Sequence, residues 1–277
     1  MPTRSSNPQS AIHNPQSFEV FDCHAHGPTI DEKFVQMTPM FKSYAEYLAY
    51  LSHSGISLAV QNSWSAVKAK TRKALADGNA AALSWARQGT SRKLRLIPAL
   101  ITHPDFLGQA AKDIERFRQA GTCWVGEVCA YNAGYTSEHP QYMKMLEMID
   151  EAGFVYQLHE EPAANLRKMV LHCPTLPLVV SHLGGSPDGI NEKLLLAQEF
   201  PSVYLDICGW GHERIGMIEK GVDMGLEDRI LYGSDFPINE PGGPLIRILN
   251  SSMSKTVKRK ILAGNLRKLM ASKGVEI

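Results

Sequence analysis

The chain has 277 residues, 44% of them hydrophobic and 21% charged, with a formal net charge of +1. That balance suits a globular protein with a sizeable core and excludes the strongly basic footprint of a nucleic-acid binder. No apolar run approaches the roughly 18 residues of a membrane span, and the N-terminus lacks the apolar stretch of a secretory signal.

Residues 1–17 carry "NPQS" twice, at 7–10 and 14–17, and read as a flexible N-terminal extension. From residue 18 onward short β-type runs alternate with helical patterns. "FEVFDC" (18–23) is the first expected strand, with a helix over 41–53. "ISLAVQN" (56–62) is the second, before a long Ala-rich helix over 65–88. "LRLIPAL" (94–100) precedes a helix over 106–120, and "CWVGEV" (123–128) one over 138–152. "FVYQLH" (154–159) precedes 162–172, and "LPLVVSH" (176–182) precedes 191–200. "VYLDIC" (203–208) precedes 212–221, and "RILYGSD" (229–235) is followed by helices over 243–250 and 255–272. Strands separated by helices pair in parallel, because a parallel strand needs a crossover connection. Eight such units imply an α/β fold, a (β/α)8 TIM barrel in a single domain over 18–277. The rival, an open doubly wound sheet, wants a Gly-rich phosphate turn after a strand, and no G-x-G-x-x-G follows any of these.

Five cysteines, at 23, 123, 129, 173 and 208, include no C-x-x-C pair and sit mostly in apolar runs. They read as reduced thiols, and the expected location is cytoplasmic.

Functional groups of such a barrel gather at the C-terminal ends of the strands. There the sequence places His24 and His26, Glu127, His159, His182 and Asp235 on the first, fourth, fifth, sixth and eighth strands. His24 and His26 flank one residue, so on a strand they share a face. Imidazole and carboxylate donors suit a divalent metal: zinc first, given the histidines, with manganese and iron as alternatives. Each residue alone has a plainer reading as a solvated strand end; the ordered set points to a metal site. Glu160, beside His159, reads as a supporting carboxylate on the other face. "DICGWGHER" places Asp206, Trp210, His212 and Arg214 near the mouth. Arg214 suits a substrate carboxylate as well as it suits a surface ion pair. Trp210 and Tyr131 are candidate substrate contacts, and Trp64 and His103 further candidates for the pocket wall. Ser181 and His182 are neighbours on one strand, where adjacent side chains diverge, so they make a poor nucleophile pair.

These motifs resemble those of the amidohydrolase superfamily, in its amidohydrolase-2 branch. "FDCHAHG" resembles the first-strand HxH, "QLHEE" the fifth-strand His, "VSHLGG" the sixth-strand His and "LYGSDFP" the eighth-strand Asp. "ILAGNLRKLM" is similar to the branch's C-terminal helix, and the match spans roughly 18–270. The fourth strand departs from the carboxylated lysine of many binuclear members. It carries Glu127, which resembles the bridging glutamate of TatD-like deoxyribonucleases and some lactonases. The resemblance implies a metal-dependent hydrolase with one or two ions, acting on an ester, lactone or amide of a small molecule. Asp235 would be ligand and general base, and His182 a proton carrier or second-metal ligand. The alternatives are a metal-dependent decarboxylase of a small carboxylic acid and a non-enzymatic binding barrel. A phosphodiester substrate fits poorly, because no Lys or Arg cluster falls on the mouth. The partner expected is a small-molecule substrate, with neither nucleic acid nor membrane, and with a homo-oligomer left open.

Overall fold

The computed structural model describes residues 18–27, 41, 43–159 and 161–277. The expected 1–17 extension and Glu160 lie outside the described residues. Among the rest, eight strands run in chain order: β1 (Phe21–Gly27), β2 (Leu58–Ser63), β3 (Arg95–Pro98), β4 (Trp124–Val128), β5 (Val155–Leu158), β6 (Leu178–Val180), β7 (Val203–Asp206) and β8 (Ile230–Leu231). Every pairing between neighbours is parallel, in the orders β1-β2-β3 and β4 to β8. Two bridges join the two sheets: Leu100 with Val125, and Ala25 with Phe236. The Leu100 amide donates to Trp124 O at 2.9 Å and the Cys23 amide to Tyr232 O at 3.0 Å. Closure leaves neither sheet with a free edge, and the fold is a TIM barrel.

The helices that matter for the site are α1 (Tyr44–His53), α2 (Trp64–Val67), α3 (Arg72–Gly89), α4 (Leu107–Gln119), α5 (Ala130–Ala133), α6 (Tyr142–Glu151), α7 (Ala163–His172), α8 (Pro187–Glu199), α9 (Met217–Asp223), α10 (Gly242–Leu249), α11 (Lys255–Arg259) and α12 (Asn265–Ser272). Several starts are fixed by hydroxyl caps. Ser43 accepts from the Glu46 amide, Thr71 from Ala74 and Ser186 from Gly189, which satisfies amides the helix itself leaves without a partner.

Several boundaries differ from the sequence reading, and four of the differences have a clear local reason. The first strand continues past Cys23 through both histidines, because β2 runs beside it to Ser63 and the Phe236 carbonyl takes the His26 amide at 2.7 Å. The last strand is shorter than 229–235: it stops at Leu231, where the Tyr232 amide turns to Ile261 O at 3.0 Å. Thr71 starts a new helix, which splits the expected 65–88 segment into α2 and α3. The 255–272 segment contains a π-helical turn at Lys260–Gly264. Beyond that turn the buried Asn265 side chain donates to Ile230 O at 2.7 Å and Glu227 O at 2.8 Å, docking the C-terminal helix on β8. All five cysteines are buried and free. Among the described residues, no helix is long and apolar enough to cross a membrane.

Candidate metal centre

β1 places Asp22, His24 and His26 on one face, and the last two turn their Nε2 atoms to within 3.1 Å of each other. The outer nitrogen of each ring is held. His24 Nδ1 lies 2.8 Å from Asp206 Oδ2 at the end of β7, and His26 Nδ1 lies 2.8 Å from Asn62 Oδ1 on β2. A carboxylate can only accept, so the His24 proton is on Nδ1 and its Nε2 lone pair faces inward. Asn62, presenting its oxygen, fixes His26 in the same way.

Two carboxylates meet these bare nitrogens. Asp235 Oδ1 is 3.0 Å from His26 Nε2 and 3.5 Å from His24 Nε2. Glu127 Oε2 is 3.3 Å from His24 Nε2 and 3.5 Å from His26 Nε2. Four acceptor atoms thus converge with no donor among them, an arrangement that a cation resolves. An ion bonded to such donors at about 2.0–2.2 Å sets neighbouring donors roughly 3–3.5 Å apart, as they are here. The set fits a divalent metal.

The other oxygen of Glu127 faces a second imidazole pair. Oε1 lies 2.8 Å from His159 Nδ1 and 3.4 Å from His182 Nε2. His182 is oriented by Cys208 O, 3.2 Å from its Nδ1, and stacks on Trp210 with centroids 4.6 Å apart. Glu127 therefore addresses one histidine pair with each oxygen. Its position depends on Gly126, where a β-carbon would collide with the Gln157 backbone of β5; no larger residue allows that approach.

The electrostatics agree. Burial alone would raise the Glu127 pKa, yet the surrounding imidazoles, His24 first and then His159 and His182, hold it well below the usual range. Burial also opposes charge on His24, but the Glu127 and Asp206 carboxylates outweigh it and push that pKa well up. His182 moves upward too, burial again being overcome by Glu127. A site that pulls protons onto buried imidazoles favours positive charge.

Support lies one layer further out. Asp22, fully buried, accepts from the His24 amide at 2.9 Å and the Ser234 amide at 3.0 Å, and from the Ser234 hydroxyl at 2.5 Å. Burial raises its pKa to about 7 against the lowering effect of those bonds. Asp206 also accepts from Gln157 Nε2 at 3.0 Å, and Gln157 in turn holds Trp124 Nε1 at 2.9 Å. Asn239 Nδ2 donates to Asp235 Oδ2 at 2.7 Å. His182 and Asp235 are the two non-glycine residues with positive φ among the described residues, at 61° and 62°. Backbone of that kind is kept where the surroundings over-determine it.

A cavity of about 210 Å³ opens beside these groups, lined in part by Trp64, Lys68, Tyr131, Trp210 and Ile238 together with Glu127, His159, His182 and Asp235. A larger surface groove of about 800 Å³, with Arg87, Arg95 and Arg116 in its walls, contains none of the converging donors. Of the residues expected around the pocket, Tyr131, Trp210 and Trp64 line it. Arg214 does not: it donates to Gly185 O at 2.8 Å and lies 3.7 Å from Glu213. His103 is buried between Phe106 and Tyr135, 4.6 Å from each ring. Asp206, expected only near the mouth, is buried behind His24. The sequence reading did not single out Asn62, Asp22, Ser234 or Asn239, and it took Lys68, in the basic run 68–73, for part of a solvated helix face, whereas it lines the cavity. For Asp22 a signal existed, its two-residue offset from His24 on the same strand face.

The fold is shared with solved structures at low identity. The 2,6-dihydroxybenzoate decarboxylase from Rhizobium superposes with a TM-score of 0.69 at 13% identity, covering 92% of this chain and 98% of that one. A dihydroxybenzoic acid decarboxylase from a Polaromonas species, with bound manganese and 2-nitroresorcinol, gives 0.67 at 14%, covering 92% and 97%. A protein from Pseudomonas putida assigned as a 2-pyrone-4,6-dicarboxylic acid hydrolase gives 0.58 at 18%, covering 92% and 98%. No curated protein matches by sequence. The family model described as amidohydrolase matches residues 21–270, from the first residue of β1 into α12, and the chain belongs to that family.

Proposed function

We propose that this protein is a metal-dependent hydrolase that cleaves an ester, lactone or amide bond in a small molecule. The observation that carries the reading is Glu127, whose two oxygens face two different histidine pairs. His24, His26 and Asp235 would hold one ion, His159 and His182 a second, with Glu127 between them. A divalent ion held by these residues would supply Lewis acidity, lowering the pKa of water from 15.7 to about 7 so that a nucleophile is available at neutral pH. Asp235 takes the proton of the attacking water, while Asn239 fixes the orientation of its carboxylate. His182, its ring set by Cys208 O and Trp210, carries a proton toward the leaving group or steadies negative charge on the substrate oxygen. Trp210 and Tyr131 supply flat apolar walls for the substrate.

A second reading, decarboxylation of a small carboxylic acid, draws support from the decarboxylases that share the fold, one of them with manganese bound. Metal stoichiometry separates the two. For the hydrolase, wild type binds two ions and Glu127→Gln binds one or none, as measured by elemental analysis after reloading with zinc or manganese. One ion in both proteins overturns the bridged centre and favours the decarboxylase.

A further inference from the structure

We propose that Trp64 and Lys68 form an anion subsite in the cavity, which receives a carboxylate that the substrate carries in addition to the bond that reacts. Both residues belong to the segment that follows β2 at the C-terminal mouth of the barrel. Trp64 heads α2, and Lys68 follows four positions later as its cap. The indole is 7% exposed, packs edge-on to His26 with centroids 4.9 Å apart, and lines the cavity. Its Nε1–H is buried and, among the described residues, has no hydrogen-bond partner. Indole N–H can only donate, and a buried donor without an acceptor is costly, so an acceptor arriving with a ligand relieves it.

Lys68 supplies the charge. Its Nζ lies 4.6 Å from the centroid of the Trp64 ring, which keeps the ammonium beside the indole. Among the described residues lining the cavity it is the one lysine or arginine, and Glu127 and Asp235 share the same walls. A cavity edged by two carboxylates repels an acid unless a fixed cation offsets them. Arg214, the basic residue expected to meet a substrate acid, is held by Gly185 O instead. The chemistry that matches an orphan N–H next to an ammonium is an oxyanion with two acceptor oxygens. The substrate class is therefore a small carboxylic acid whose ester, lactone or amide lies at the metal centre while its carboxylate sits on Trp64 and Lys68. The inference rests on the hydrolase reading only for where the reacting bond lies.

Benzoate and its neutral isostere benzamide are the probes, titrated calorimetrically into full-length protein, both manganese-loaded and chelator-treated. Wild type should favour benzoate by about tenfold in both states. Lys68→Met should remove that preference while leaving benzamide affinity within about twofold, and Lys68→Arg should restore it. Trp64→Phe, which deletes the donor and keeps a ring, should weaken both probes. A wild type with no preference for benzoate, or a Lys68→Met protein that keeps it, overturns the subsite. A preference that vanishes on chelation also overturns it, since the anion then belongs to the metal. Loss of the bridged stoichiometry with an intact, Lys68-dependent preference refutes the hydrolase reading and leaves the subsite standing.

Discussion

The two histidine pairs that face Glu127 are built differently. His24 and His26 are buried, and each outer nitrogen is held by a buried acceptor, Asp206 or Asn62. Asp206 is itself locked by Gln157 and by the Cys208 amide at 2.9 Å, and Gly233 packs directly against its carboxylate. The other pair is looser at one member. His159 is 20% exposed, and among the described residues only Glu127 holds one of its ring nitrogens. Tyr131 touches its ring at 5.1 Å but is itself 63% exposed. A donor whose orientation is fixed before binding loses little freedom on taking an ion, whereas an unsupported one must be ordered at that moment. The first pair is the anchor of the centre, and His159 makes the second its adaptable side, although His182 is itself buried and held by Cys208 O and Trp210.

The largest effect should come from Asp235, which completes the anchored side. Asp235→Asn keeps the shape and still accepts one hydrogen bond, but cannot take the proton of the attacking water. Turnover of any ester, lactone or amide the wild type cleaves should fall by about 10²–10⁴-fold. Circular dichroism should show the fold unchanged. Wild-type turnover in this variant would remove Asp235 from the chemistry.

The contrast between the pairs is sharpened by removing one support from each side. Asp206→Asn presents a donor to His24 Nδ1 and thereby drives the proton of that ring to Nε2, which then cannot ligate. The anchored ion should bind about 10–100-fold more weakly. His159→Asn should instead empty only the adaptable side, leaving one ion per chain. In wild type, graded chelation should release metal in two steps, the weaker of which is absent from His159→Asn. Release of both ions in a single step, at the same chelator concentration in both proteins, would erase the difference between the pairs.

The anchored side was also the more legible one in sequence. His24 and His26 sit on one strand, and a period of two is enough to place them together. Glu127, His159, His182 and Asp235 each end a strand of a barrel whose alternation is plain, so their convergence follows from topology. What held these groups was harder to see. Asp206, Asn62 and Asn239 reach these side chains through strand register and turn geometry, to which residue spacing is blind. Arg214 shows the same limit: it follows the right strand, yet a loop carbonyl takes its guanidinium. Boundaries slipped where tertiary bonds replaced ladder bonds, as after Leu231, where the Tyr232 amide turns to Ile261 O at 3.0 Å. Periodicity reports the ladder and is silent about such exchanges.

The smallest expected effect concerns how His182 keeps its left-handed backbone. Lys193 of α8 is 3% exposed, and its Nζ donates to His182 O at 3.3 Å and to Leu183 O at 3.2 Å. An ammonium that gathers two successive carbonyls pins the turn from which His182 reaches Glu127. Lys193→Met fills the volume but leaves both carbonyls buried without that donor, a loss of about 1–3 kcal/mol. For a chain of this length each kcal/mol lowers Tm by roughly 2–4 °C. Kcat should fall by only a few fold, since His182 keeps its Cys208 and Trp210 contacts, and KM should hardly move. Lys193→Arg, which keeps charge and donors, should recover more of kcat than of Tm, because its longer fork strains the packing it enters. A Lys193→Met protein with lowered Tm but unaltered kcat would confine this lysine to stability, and the Cys208 and Trp210 contacts would then account for the position of the His182 ring.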